Sequence, residues 1–108
     1  MPTPAPVVRA RLDRALAGGD LAAVREAVRD GPSVITLADA VRVLMLMVEA
    51  DDPAFERAAV RWLARFTGEC GGVTLGEAQA ALEALEGLPA PDAHATLKAL
   101  LKRHGRAP

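Results

Sequence analysis

One cysteine, Cys70, and three aromatic residues, Phe55, Trp62 and Phe66, leave this 108-residue chain poor in the residues that staple or anchor many small folds. A lone thiol excludes an internal disulfide, and with only two histidines beside it no recognisable zinc set is available. No apolar run approaches the ~20 residues of a membrane helix, so no membrane partner is expected. Charge of one sign is lacking as well. A net charge of −1 and a pI near 6.1 give no global attraction for nucleic acid or an acidic bilayer. The opening Met-Pro-Thr-Pro-Ala-Pro has neither the basic segment nor the apolar run of a secretory signal, which points to a cytoplasmic protein. Strand signals are nearly absent. With 51% hydrophobic and 25% charged residues the balance is globular, and the length suffices for one domain with a helical core that needs no metal.

What is present is an internal echo. Ile35-Thr36-Leu37-Ala38-Asp39-Ala40 and Val73-Thr74-Leu75-Gly76-Glu77-Ala78 share a pattern 38 residues apart, and the same shift lays Leu44 on Leu82, Pro53 on Pro91, Leu63 on Leu101 and Arg65 on Arg103. That period is the length of one helical hairpin. The expected fold is all-α, a compact bundle of about six helices built from αα-hairpins over residues 4–30, 36–69 and 74–104.

The first helix is expected to start with Thr3 as cap and Pro4 in its first turn, to carry Val8, Leu12, Ala15 and Leu16 on one face, and to stop at Gly18-Gly19. Asp20 caps the second, which presents Leu21, Val24 and Val28 and ends at Gly31-Pro32. Thr36 with Asp39 three positions on forms a capping box for the third, which runs to about Asp51. Asp52-Pro53 restarts the chain as cap and first turn of the fourth. There Phe55, Ala59, Trp62, Leu63 and Phe66 share a narrow arc, so this helix is expected to be the most enclosed. Thr74 and Glu77 form a second capping box, from which Leu75, Ala78, Leu82 and Leu85 point inward. After the break Gly87-Leu88-Pro89-Ala90-Pro91, the last helix aligns Ala93, Leu97, Leu100 and Leu101 and ends near His104, ahead of a frayed tail to Pro108.

Two features invite function. The third helix has a second apolar stripe, Val43, Leu46, Met47 and Ala50, opposite Leu37, Val41, Leu44 and Val48. It is either covered by the first two helices, as the middle member of a stack, or it is a partner-binding or homodimer face softened by Met45 and Met47. Arg57, Arg61 and Arg65 recur at i, i+4 and i+8 away from the aromatic arc. They form either a solvated face or an anion-binding stripe, with Glu56 and Glu69 diluting it. Lys98, Lys102, Arg103 and Arg106 read chiefly as complement to a helix C-terminus. His94 and Lys98 share a face without an acid or nucleophile spaced to work with them, and Cys70 sits at a negative helix end that disfavours a thiolate. No catalytic residue, cofactor or metal is expected.

The paired Thr-Leu-(Ala/Gly)-(Asp/Glu)-Ala starts and the Pro53 and Pro91 restarts resemble αα-hairpin repeats of the HEAT or tetratricopeptide kind over residues 35–104, without the tetratricopeptide Trp, Leu-Gly and Tyr signature. Arg57 to Phe66 followed by Gly72-Val73-Thr74-Leu75 is also similar to small helical proteins of unassigned function from high-GC bacteria. The resemblance implies a helical-hairpin domain and no particular activity. The functional expectation is a non-catalytic protein-interaction module, an adaptor or a self-associating domain. The alternative is an accessory nucleic-acid-binding or regulatory protein that uses the arginine stripe.

Overall fold

In the structure, a computed structural model, residues 4–31 and 35–106 are described. Among them the chain forms six helices and no strand: α1 (Ala5–Gly18), α2 (Leu21–Asp30), α3 (Leu37–Glu49), α4 (Phe55–Glu69), α5 (Leu75–Gly87) and α6 (Pro91–Arg103). The expected cap Thr3, the stop Pro32 and the tail residues Ala107 and Pro108 lie outside the described residues.

Local chemistry sets most helix ends. The Asp20 carboxylate accepts the Ala23 N–H at 3.1 Å, and Gly19, at φ 66°, turns the chain out of α1 in the left-handed conformation that glycine tolerates best. Thr36 and Thr74 each accept the N–H three residues on at 3.1 Å, while the Asp39 and Glu77 carboxylates reach back to the threonine N–H groups, so both capping boxes are complete. Elsewhere the 38-residue register is not kept. Pro91 is the first residue of α6, whereas Pro53 lies ahead of α4, whose N-cap is Ala54. Asp52 instead makes a short turn, with Oδ1 accepting the Ala54 N–H at 2.8 Å, and its carboxylate pairs with Arg25 of α2. At α1, Pro4 takes the N-cap position and proline enters the first turn at Pro6.

Neighbouring helices pack as hairpins, α1 on α2, α3 on α4 and α5 on α6; α3 also meets α2 and α6, and α4 meets α5. The radius of gyration, 13.7 Å, is close to the ~13 Å of a compact chain of this length. Two cores result. Leu12, Ala15, Leu16, Val24 and Ala27 form a small one within the first hairpin, with Val43 and Leu46 of α3 packed against it. The larger joins Leu37, Val41, Leu44 and Met47 to Trp62 and Phe66 and to the inner faces of α5 and α6. α3, not α4, is therefore the most enclosed helix: it buries five residues against two in α4, because it has neighbours on both sides.

Gly31 closes α2 directly against α1. A Cβ there would stand 2.9 Å from Cγ1 of Val8, a fully buried side chain with little room to retreat. Gly31→Ala is expected to destabilise the chain by roughly 1–3 kcal/mol through overpacking. Urea unfolding should show this, and a second change, Val8→Ala, should recover part of the overpacking cost in a double-mutant cycle.

Candidate interaction groove

The fifth helix departs most from its expected orientation. Leu75 is 91% and Leu82 46% exposed, while Ala81, Ala84 and Leu85 face the core. The cause is close packing. A Cβ on Gly87 would come within 3.2 Å of the Ala93 Cβ, so small side chains meet where α5 turns into α6. At about 100° per residue, facing Ala81 and Ala84 inward turns Leu82 and Leu75 onto the flank.

On that flank Leu82 meets α4. Val60, 63% exposed, and the half-buried Leu63 and Phe55 join Leu82 along a groove of about 430 Å³ between α4 and α5. Its charged lining residues are Glu56 and Glu86, both exposed. The groove is thus apolar inside and negative at its rim, and it holds two of the four large hydrophobic side chains exposed among the described residues.

The second stripe of α3 has a different fate. Met47 is 6% exposed and belongs to the larger core, Leu46 is half-buried against the first hairpin, Val43 touches both cores, and Ala50 is exposed at the C-cap. Most of the stripe is therefore packing surface, as expected of a helix covered on both sides. The arginine stripe is also unequal. Arg57 and Arg61 are exposed, but Arg65 is held by Glu69 at 2.7 Å and donates to the Ile35 carbonyl at 3.0 Å, stapling α4 to the segment before α3. Arg65 also holds the Glu69 carboxyl below its ordinary pKa. Val43, Met47, Arg61 and Arg65 do line one shallow groove between α2, α3 and α4; Leu46, Ala50 and Arg57 do not.

Other polar groups serve the fold. His104, at the end of α6, lies edge-on to Phe66 with ring centres 5.7 Å apart and bonds the Glu77 carboxylate at 3.1 Å. Glu77 is held below its ordinary pKa by the Thr74 N–H and then by His104, so this pair ties the start of α5 to the end of α6. Twenty-seven residues separate the two in sequence, and no local pattern signals their meeting. Cys70 is a buried thiol in the larger core. Among the described residues no group of three or more His, Cys, Asp or Glu is placed to hold a metal ion, and no helix is long and apolar enough to cross a membrane.

No family model, curated protein or solved structure matches this chain.

Proposed function

We propose that this chain is a non-catalytic protein-interaction module whose α4–α5 groove receives an amphipathic helix from a partner protein, with basic residues beside the partner's apolar stripe. The supporting observation is the convergence of exposed Val60 and Leu82 on one groove with an acidic rim. A helix laid in such a groove places residues at i, i+3 or i+4 and i+7 into it, burying apolar surface that the free chain leaves in water. Glu56 and Glu86 favour lysine or arginine at the edges of that helix. They disfavour a second copy of this chain, because a two-fold interface would set the acidic rim against itself.

The test is a fluorescence-anisotropy titration with two synthetic 18-residue amphipathic peptides, one of leucine and lysine and one of leucine and glutamate. The lysine peptide is expected to bind with a dissociation constant on the order of micromolar and the glutamate peptide to bind far more weakly. Val60→Asp combined with Leu82→Asp should weaken the lysine peptide at least tenfold while helical content stays unchanged, since both side chains are exposed. Equal binding of both peptides, or undiminished binding to the folded double variant, would refute the reading.

A further inference from the structure

A second concavity, on another side of α3, has the opposite electrostatics. α1, α3 and α6 enclose a cleft of about 700 Å³ with Arg9, Arg42, Lys98 and Lys102 around it and Asp39 as the one carboxylate among the described residues that line it. Asp39 is already occupied: it accepts two hydrogen bonds from Arg9 and one from the Thr36 N–H. The side chains of Arg42, Lys98 and Lys102 are exposed and have no hydrogen bond or ion pair among the described residues. Arg9 is engaged by both Asp39 and Asp13, which leaves Arg42, Lys98 and Lys102, in a chain of net charge −1, as a concentration of charge that the described residues do not neutralise.

The dipole of α6 accounts for part of this. Lys102 and Arg103 lie in its last turn, where cations are favoured. Lys98 lies before that turn and Arg42 on a different helix, so the dipole explains neither. Lys98 and Lys102 are i, i+4 neighbours of like charge, which mildly disfavours the helix that carries them. A cleft with these walls and a floor of Val41 and Leu101 is complementary to a compact organic anion. The only ring lining it is that of His94, which burial, and then the charge of Lys98, hold below its ordinary pKa. A neutral imidazole offers one donor and one acceptor, and there is no broad aromatic face for a base to stack on.

We propose that the cleft between α1, α3 and α6 binds a soluble phosphate or diphosphate ester with a small non-aromatic body, gripped by Arg42, Lys98 and Lys102. Arg9, fixed by Asp39, forms the rigid wall of the site. The volume suits a small metabolite, lying within the ~300–1,000 Å³ usual for ligand pockets.

The proposal is tested by titrating the full chain with inorganic pyrophosphate and following its backbone amides by NMR. Shifts are expected to concentrate on α6 around Lys98 and Lys102 and on α3 around Arg42, saturating at millimolar ligand or below. Arg42→Gln and Lys98→Gln should each weaken binding about five- to tenfold, as expected for loss of a charge-assisted contact. Arg57→Gln, on the exposed side of α4, should leave it unchanged. Equal weakening by Arg57→Gln would mean diffuse charge attraction and would overturn the site. So would the absence of saturable shifts, or binding confined to vesicles containing phosphatidic acid or to single-stranded DNA.

Discussion

Trp62→Ala is expected to remove about 3–5 kcal/mol of stability, the usual cost of deleting a buried indole. Trp62 is 2% exposed, its Nε1–H donates to the Leu37 carbonyl at 2.9 Å, and its ring stacks on Phe66 with centres 5.3 Å apart and planes 14° from parallel. Phe66 in turn meets His104 edge-on, so this column of rings joins α3, α4 and α6. In a domain whose total stability is about 5–15 kcal/mol, losing it leaves a marginal fold. The melting temperature should fall by roughly 15–30 °C. Trp62→Phe keeps a ring in the column and removes the N–H, so its cost should be nearer 1–2 kcal/mol. Calorimetry of the two variants separates packing from hydrogen bonding. A cost below about 1 kcal/mol for Trp62→Ala would contradict a column buried among three helices.

The second large effect is at Asp39. This carboxylate closes the α3 capping box and holds Arg9 of α1, so one side chain caps a helix and ties the first hairpin to the middle of the bundle. Asp39→Ala is expected to cost about 2–3 kcal/mol: the Thr36 cap survives, but the charge-assisted hydrogen bond to the Thr36 N–H, worth about 1–1.5 kcal/mol, is lost, and the rest comes from an ion pair discounted for the partial exposure of Arg9. Asp39→Asn retains one acceptor and should lose roughly half as much. The pH dependence has a definite sign. Burial pushes the Asp39 pKa up, but the hydrogen bonds from Arg9 and Thr36 outweigh it, and the carboxyl ends below its ordinary 3.8. A depressed folded-state pKa means that Asp39 contributes fully above the unfolded value and loses its contribution as pH falls through the folded one. Urea midpoints should therefore differ most between wild type and Asp39→Asn near neutrality and converge below about pH 4. A gap that stays constant into acid would rule out the ionised pair as its cause.

Much of the architecture was legible because it is local. A threonine accepting an N–H three residues on, an acidic residue reaching back, and a proline entering a first turn involve contacts within one helical turn, and the caps at Asp20, Thr36 and Thr74 appear where the residues predict them. The core faces of α1 and α6 were equally readable, each having one apolar stripe. The stripe rule failed at α5, where side-chain size overrode hydrophobicity. Alanine lets two helices approach closely, so Ala81 and Ala84 took the inner face and Leu82 was turned outward. A sharper sequence signal was available in the alanines of α5 themselves, which mark a close-packed face.

By itself, then, the sequence of this protein determined an all-helical chain, where most of its helices begin and end, and the apolar faces of α1 and α6. Those properties depend on backbone hydrogen bonding and side-chain periodicity over a few residues. Tertiary structure alone decided the rest: that α3 is covered on both sides, that Arg65 is a staple rather than a third free cation, that Val60 and Leu82 share a groove, and that Arg42 joins Lys98 and Lys102 across a cleft. Each of these brings together residues from different helices. Their meeting depends on how the helices rotate and pack to exclude water and fill space, and no single helix records that balance.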